Sequence, residues 1–76
     1  MDNKVAVITG AAGGMGQAFT RTLLADGMRV VGLDIAQETL SEMASCLGDR
    51  FLGIAVDLTD PAAVSESFDQ IVDAYG

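Results

Sequence analysis

The chain has 76 residues, of which half are hydrophobic and one fifth charged, with a net charge of −7, no histidine and one cysteine. This composition is typical of one small globular domain and excludes a disordered chain, and the four scattered basic residues argue against a nucleic-acid-binding surface. No apolar run approaches the length of a membrane helix, and the near absence of His and Cys argues against a transition-metal site. We therefore expect a soluble cytoplasmic protein with no metal, membrane or nucleic-acid partner.

Apolar stretches alternate with turn signals along the chain. They predict strands over about 4–9, 29–33 and 51–56, and helices over about 14–26, 36–47 and 61–75. Gly27 and Gly48 are predicted to end the first two helices, and Asp60 followed by Pro61 to begin the third. The order βαβαβα with short connections is typical of a parallel sheet with right-handed crossovers. We expect the strand order 3-2-1, with the first two helices on one face and the third on the other.

Helical spacing of apolar residues predicts which side of each helix packs on the sheet. The predicted inward residues are Met15, Ala18, Phe19, Thr22 and Leu23 in the first helix, Leu40, Met43, Ala44 and Leu47 in the second, and Val64, Phe68, Ile71, Val72 and Tyr75 in the third. The serines of the last two helices have no base beside them and are predicted to lie on the helix surfaces: Ser41, Ser45, Ser65 and Ser67.

Residues 9–16, T-G-A-A-G-G-M-G, join the first strand to the first helix. The first N–H groups of a helix have no intrahelical partner, and with the positive end of the helix dipole they form a site for a phosphate. Glycine permits positive φ and a close approach of an anion. The motif is not G-x-G-x-x-G, because Phe19 stands where a third glycine would be. It reads T-G-x-x-x-G-x-G, in which Gly10, Gly14 and Gly16 are fixed and Gly13 is extra. The alternative is a loop rich in glycine for packing reasons.

Two carboxylates follow the next two strands at the same edge of the predicted sheet. Asp34 lies 20 residues after Gly14, where a carboxylate can accept hydrogen bonds from both hydroxyls of an adenosine ribose and repel a 2′-phosphate. Its alternative role is to cap the following helix or turn. Asp57, which precedes Leu58, can likewise cap a turn. A catalytic pair of Asp57 with Asp60 is disfavoured, because no third polar group or cleft accompanies it.

The glycine motif, Asp34 and the pair Asp57-Leu58 together resemble the short-chain dehydrogenase/reductase family over essentially the whole chain. The resemblance implies a Rossmann-type doubly wound parallel sheet, of which residues 1–76 are the first, incomplete βαβαβα half. A fourth strand would lie beside strand one, which is therefore expected to be an exposed edge. The cofactor-binding residues implied are Gly10, Gly13, Gly14, Met15, Gly16, Asp34, Ile35, Asp57 and Leu58.

The resemblance gives several of these residues a role in binding a dinucleotide. In the family the Asp57 carboxylate would meet the adenine amine, and the Leu58 N–H a ring nitrogen. Members that prefer NADP commonly carry Arg or Lys at the position of Gly13 or Ile35, so the cofactor implied is NAD. Met15 stands where the family usually has isoleucine, beneath the pyrophosphate. From the residues alone, the Thr9 hydroxyl is expected to tie the glycine loop to strand one.

The family's catalytic Asn, Ser and Tyr-x-x-x-Lys have no counterpart in this chain. Tyr75 is followed only by Gly76, the single lysine is Lys4, and Asn3 precedes the first strand. We expect the chain to be inactive alone and to be the N-terminal part of a longer, homo-oligomeric oxidoreductase. That protein would transfer hydride between an alcohol or carbonyl substrate, bound by its other half, and NAD(H). The alternative is a non-catalytic nucleotide-binding or interaction module that folds with a partner chain.

Overall fold

The computed structural model describes residues 4–75, with the backbone alone for residue 75. The predictions for Asn3, for Gly76 and for the side chain of Tyr75 lie outside this description. The elements are β1 (Val5–Thr9), α1 (Gly14–Ala25), β2 (Arg29–Asp34), α2 (Gln37–Leu47), β3 (Phe51–Ala55) and α3 (Pro61–Tyr75). The three strands are parallel, and β2 lies between β1 and β3, which is the predicted order read from the opposite edge. The predicted α/β half-fold is confirmed.

The two faces of the sheet have separate hydrophobic cores. One core, shared with α1 and α2, contains Ala11, Leu24, Val30, Leu40, Met43 and Phe51. The other, shared with α3, contains Val31, Leu33, Ile54, Val56 and Ile71. Successive residues of a strand point to opposite faces, so the neighbours Val30 and Val31 of β2 belong to different cores. This arrangement confirms that α1 and α2 cover one face and α3 the other.

The ends of the helices lie where local residue types predict them. Gly27 follows α1 with φ +87°, and Gly48 caps α2 with φ +85°. At the start of α3, Asp60 accepts a hydrogen bond at 3.1 Å from the N–H of Ala62 through Oδ1, and Pro61 is the first helical residue. These local signals therefore set where α1 and α2 end and where α3 begins.

The predicted inward face of α1 is wrong, because only Leu23 of the five predicted residues packs against the core. Met15 and Phe19 are 76% and 57% exposed, whereas Gly16 and Thr20 are buried. A Cβ placed on Gly16 would lie 2.3 Å from a carbonyl oxygen of the preceding loop, so the helix approaches the loop through this glycine. Thr20 tolerates burial because its hydroxyl donates to the Gly16 carbonyl at 2.8 Å. Small residues set the rotation of α1.

The predicted inward face of α2 is confirmed. Leu40 and Met43 are buried, and Ala44 and Leu47 pack against the same core. The first turn contains an acidic residue, Glu38, which suits the positive end of the helix dipole. In this helix the large apolar residues and the buried residues coincide, so the periodicity gives the correct orientation.

The prediction for α3 is correct in part. Ile71 is buried and Val64 is half-buried against the second core, but Phe68 and Val72 are exposed. Ser67 is buried rather than on the surface, and its hydroxyl donates at 2.9 Å to a carbonyl oxygen one turn earlier. As in α1, a small residue with an internal hydrogen bond faces the sheet where a larger apolar residue was expected.

The outer edge of β1 pairs with no other strand within residues 4–75, as expected. Val7, in the middle of β1, is 40% exposed. Met15 and Phe19 on α1, and Phe68 and Val72 on α3, are also exposed. The described part of the chain thus has apolar side chains and an open strand edge in contact with solvent.

Candidate functional site

A cavity of about 230 Å³ lies where the strands end. Its lining residues are Gly10, Asp34, Ile35, Val56, Asp57, Leu58 and Thr59. Ligands of open parallel sheets bind outside the carboxyl ends of the strands, and whole ligand pockets usually measure about 300–1,000 Å³. The cavity is therefore of a size to hold one part of a larger ligand. It unites five of the predicted site residues; Val56 and Thr59 were not predicted, although both adjoin the Asp57-Leu58 pair.

The glycine loop is held by β2 rather than by β1. The N–H of Gly10 donates to the Leu33 carbonyl at 2.8 Å, and the N–H of Ala12 donates to Oδ2 of Asp34 at 3.0 Å. The Thr9 hydroxyl makes no hydrogen bond among residues 4–75, so the prediction that it anchors the loop is wrong. The physical reason is that the loop crosses the end of the neighbouring strand, which supplies the acceptors.

The four glycines of the loop differ in what the chain itself requires of them. Gly10 has φ +68°, a region that side chains with a Cβ rarely adopt. Gly16 lies too close to backbone atoms to carry a Cβ. A Cβ on Gly13 would make an ordinary 3.5 Å contact, and one on Gly14 would meet nothing within 4 Å. Backbone conformation therefore explains Gly10 and packing explains Gly16, whereas neither requires a glycine at position 13 or 14.

The N-terminus of α1 presents free donors next to the loop. The N–H of Gln17 makes the first helical hydrogen bond, to the Gly13 carbonyl at 2.9 Å. The preceding N–H groups, of Gly14, Met15 and Gly16, have no acceptor within residues 4–75. Gly13 is the N-cap residue and offers no side-chain cap, and the first turn contains no acidic residue. Unpaired donors at the positive end of a helix dipole can bind an anion such as a phosphate.

Asp34 is the last residue of β2, and its half-buried carboxylate lines the cavity. Oδ2 accepts the Ala12 N–H at 3.0 Å, and Oδ1 accepts the Ala36 N–H at 3.1 Å. Ala36 precedes α2 as its N-cap residue, so Asp34 does cap the turn before that helix. Each carboxylate oxygen can accept more than one hydrogen bond. The capping role therefore leaves room for a ligand hydroxyl.

Asp57 also has a local role at the cavity. Its Oδ1 accepts the N–H of Thr59 at 2.9 Å and the Thr59 hydroxyl at 2.6 Å. These bonds, above all the one from the hydroxyl, lower the pKa of the Asp57 carboxyl from its usual 3.8. Oδ2 accepts no hydrogen bond within residues 4–75. Asp60 caps α3, so both carboxylates of the suggested catalytic pair already act in turns.

Two exposed apolar side chains complete the lining of the cavity. Ile35, directly after β2, is 71% exposed, and Leu58, after β3, is also exposed. Neither belongs to a hydrophobic core of the described residues. An apolar group bound in the cavity would remove these side chains from water, which is favourable.

Neither a metal-binding cluster nor a membrane-spanning helix is found in the described part of the chain. Residues 4–75 contain no group of three His, Cys, Asp or Glu side chains placed to hold a metal ion. The single cysteine, Cys46, is an exposed free thiol on α2. Within the same range, no helix is at once long enough and apolar enough to cross a bilayer.

The family described as short chain dehydrogenase matches residues 4–76. The chain belongs to this family. The resemblance predicted from the glycine motif and the two carboxylates is thereby confirmed. A sorbitol dehydrogenase from Cereibacter sphaeroides is 36% identical over 76 residues, which cover 100% of this chain and 30% of the relative. This short-chain dehydrogenase chain thus spans about 30% of the length of such relatives.

Solved structures of the family superpose closely on the chain. A short-chain dehydrogenase/reductase from Burkholderia phymatum in complex with NAD gives a TM-score of 0.91 with 35% identity, over 99% of this chain and 28% of that one. A serine dehydrogenase complexed with NADP+ gives a TM-score of 0.82 with 31% identity, over 86% of this chain and 26% of that one. These neighbours include complexes with both nicotinamide dinucleotides, so they support a cofactor of this class without choosing between NAD and NADP.

Proposed function

We propose that the chain is the cofactor-binding part of an NAD-dependent short-chain dehydrogenase. The observation that carries the proposal is the convergence, at one edge of the sheet, of unpaired helix N–H groups with the carboxylates of Asp34 and Asp57. NAD presents the complementary groups, namely a pyrophosphate, a ribose diol and an adenine base. The proposed cofactor-binding residues are Gly10, Gly13, Gly14, Met15, Gly16, Asp34, Ile35, Asp57 and Leu58.

The pyrophosphate binds the N-terminus of α1. The free N–H groups of Gly14, Met15 and Gly16 supply donors, and the absence of a side chain at Gly14 leaves space for the anion. No Lys or Arg is among the residues that line the adjacent cavity. Backbone dipoles therefore supply the favourable electrostatics in place of a basic side chain.

The adenosine occupies the cavity. Asp34 accepts hydrogen bonds from the ribose diol, Asp57 accepts one from the adenine amine through Oδ2, and the Leu58 N–H donates to a ring nitrogen. Ile35 and Leu58 pack against the base. A carboxylate at position 34, with no basic residue lining the cavity, disfavours the 2′-phosphate of NADP. This electrostatic argument supports a preference for NAD.

The proposed parent reaction is hydride transfer between an alcohol or carbonyl substrate and the nicotinamide of NAD(H), as the dehydrogenases among the relatives suggest. The nicotinamide accepts or supplies the hydride. The residues of this chain bind and orient the adenosine and pyrophosphate, and they include no counterpart of the family's catalytic group. The remaining part of the domain would cover the open edge of β1 and bind the substrate. A cytoplasmic location and a homo-oligomeric full-length protein also belong to the proposal, and both rest on the family resemblance.

Equilibrium binding of NAD, NADP and ADP-ribose to the purified protein tests this function. We expect ADP-ribose to bind, because the proposed contacts are all to the adenosine and pyrophosphate. We expect NAD to bind at least about tenfold more tightly than NADP, a difference of about 1.4 kcal/mol. A Cys46→Ser variant, changed on an exposed part of α2, should bind like the wild type. Equal affinity for both dinucleotides would overturn the NAD preference, and no binding of any of the three would overturn the function. Binding without dehydrogenase activity in the complete gene product would favour the non-catalytic module.

A further inference from the structure

Asp34 connects the three segments that follow the three strands. Its two carboxylate oxygens accept the N–H groups of Ala12, in the glycine loop, and Ala36, after β2. Its main-chain carbonyl accepts the N–H of Val56, after β3, at 2.9 Å. The bond to Ala12 joins residues 22 positions apart. One residue thus links the loops that together form the proposed cofactor site.

The glycine loop is bonded at each residue before α1. Gly10 and Ala11 both donate to the Leu33 carbonyl, and the Gly13 N–H donates to the Gly10 carbonyl at 3.1 Å. Ala12 donates to Asp34 as described, and its carbonyl accepts the side-chain amide of Gln17 at 2.8 Å. The other loop bonds have backbone acceptors or a flexible partner, whereas the Ala12 N–H depends on a single side chain.

We propose that Asp34 is a positioning residue that fixes the glycine loop in its binding conformation before any ligand arrives. This inference rests on the proposed function and goes beyond it, because it gives Asp34 a role that does not involve the ribose. Ordering a loop opposes binding through lost conformational entropy. A loop that is already fixed by Asp34 avoids that loss, so its helix donors are in place for the pyrophosphate.

Removing the Asp34 carboxylate would have two effects that can be measured separately, the loss of the ribose contact and the loss of the bond to the loop. If Asp34 only contacted the ribose diol, Asp34→Ala would not change the affinity for a dinucleotide that lacks the two hydroxyls. If Asp34 also holds the loop, the same substitution lowers the affinity for that analogue as well. Replacement of Asp34 to favour NADP would remove the charge that repels the 2′-phosphate. For the same reason it would also loosen the glycine loop.

The test compares Asp34→Ala and Asp34→Asn with the wild type in the protein purified as the product of its own gene. The first measurement is hydrogen exchange of the Ala12 amide without ligand. We expect about tenfold faster exchange in Asp34→Ala, as for the loss of one hydrogen bond. Asp34→Asn retains one acceptor oxygen, so its Ala12 exchange rate should lie between those of the wild type and Asp34→Ala. Protection of the Val31 amide in β2 must stay unchanged, which separates loosening of the loop from unfolding. If Asp34→Ala does not fold, Asp34→Asn alone carries the comparison.

The second measurement is the affinity for NAD and for its analogue without the 2′- and 3′-hydroxyls of the adenosine ribose. We expect Asp34→Ala to lower the affinity for the analogue by about fivefold or more. The matched control is Asp57→Ala, because Asp57 lies at the same cavity but its carboxylate, within residues 4–75, accepts hydrogen bonds from Thr59 and not from the glycine loop. The Asp57→Ala substitution should lower the affinity for NAD and leave the exchange rate of the Ala12 amide unchanged. Unchanged exchange in both Asp34 variants, or full affinity of Asp34→Ala for the analogue, would overturn the inference. The exchange measurement needs no cofactor, so failure of NAD to bind would refute the proposed function separately.

Discussion

The candidate site has an inner part, which the chain packs and bonds by itself, and an outer part, which it leaves open. The inner part consists of Gly10, Ala11, Gly16 and Asp34, and the outer part of Gly14, Met15, Ile35, Asp57 and Leu58. Ala11 is completely buried and Gly16 is buried, whereas Met15 and Ile35 are mostly exposed. Folding of the chain accounts for the inner residues. The proposed cofactor would contact the outer ones, of which Asp57 also accepts hydrogen bonds from Thr59 in its own turn.

The inner part depends on close approach of the loop to β2. A Cβ on Gly32, in the middle of β2, would lie 2.7 Å from the Cβ of Ala11. Gly32 is therefore part of the support of the site, although it was not among the predicted site residues. A glycine in a strand marks a place where another backbone comes close, and this signal was available from the sequence.

The largest expected effect is that of Gly16→Ala, which tests the inner part. The added Cβ would lie 2.3 Å from the Gly10 carbonyl oxygen and 2.8 Å from the Ala11 Cα. These are backbone atoms that cannot rotate away, so we expect a loss of at least about 3 kcal/mol in the free energy of unfolding. Denaturant unfolding measures it. A loss below about 1 kcal/mol would show that α1 can move outward and that the inner part is not fixed by packing.

Gly14→Ala tests the outer part and should affect binding rather than folding. The added Cβ meets no atom within 4 Å, so we expect the free energy of unfolding to change by no more than about 0.5 kcal/mol. The affinity for NAD should fall at least about tenfold, because the methyl group occupies the proposed approach of the pyrophosphate. Ala18→Ser, on an exposed position of the same helix, is the control. Unchanged NAD affinity would remove Gly14 from the phosphate site.

The smallest effect is expected for Thr59→Val, which alters the hydrogen bonding of an outer carboxylate. Losing the hydroxyl should raise the pKa of Asp57 toward its usual 3.8. Because folding lowers this pKa, the stabilisation of the turn is present above the unfolded value and disappears as the pH falls through the folded value. A pH titration of the Asp57 carboxyl signal by NMR measures the change. Thr22→Val, whose hydroxyl bonds within α1, should leave that titration unaltered; a Thr59→Val titration equal to the wild type would show that the hydroxyl is not the cause.

Much of the fold could be predicted because local residue types determine it. Gly27, Gly48 and the pair Asp60-Pro61 mark helix ends through their own backbone preferences. The alternation of strands and helices then predicts the parallel order. The placement of Asp34 and Asp57 at one edge follows directly, since the carboxyl ends of parallel strands lie together.

The remaining features depend on how closely the elements approach, which periodicity does not report. In α1 and α3 the buried Thr20 and Ser67 are small polar residues whose hydroxyls bond inside the helix. A pattern based on large apolar side chains therefore selected Phe19 and Phe68, which are exposed. The prediction that Thr9 anchors the glycine loop was wrong for a similar reason. Loop N–H groups donate to acceptors on β2, and within residues 4–75 the Thr9 hydroxyl takes no part.

The open edge of β1 also bears on how copies of the protein behave in concentrated solution. Unpaired strand edges are templates for pairing with another molecule, but eleven acidic and only four basic residues make the copies repel one another. Since the Debye length shrinks from about 10 Å at 0.1 M salt to about 3 Å at 1 M, added sodium chloride should permit self-association. Light scattering across that range would show growing particles if the edge is accessible, and a constant size if another segment covers it.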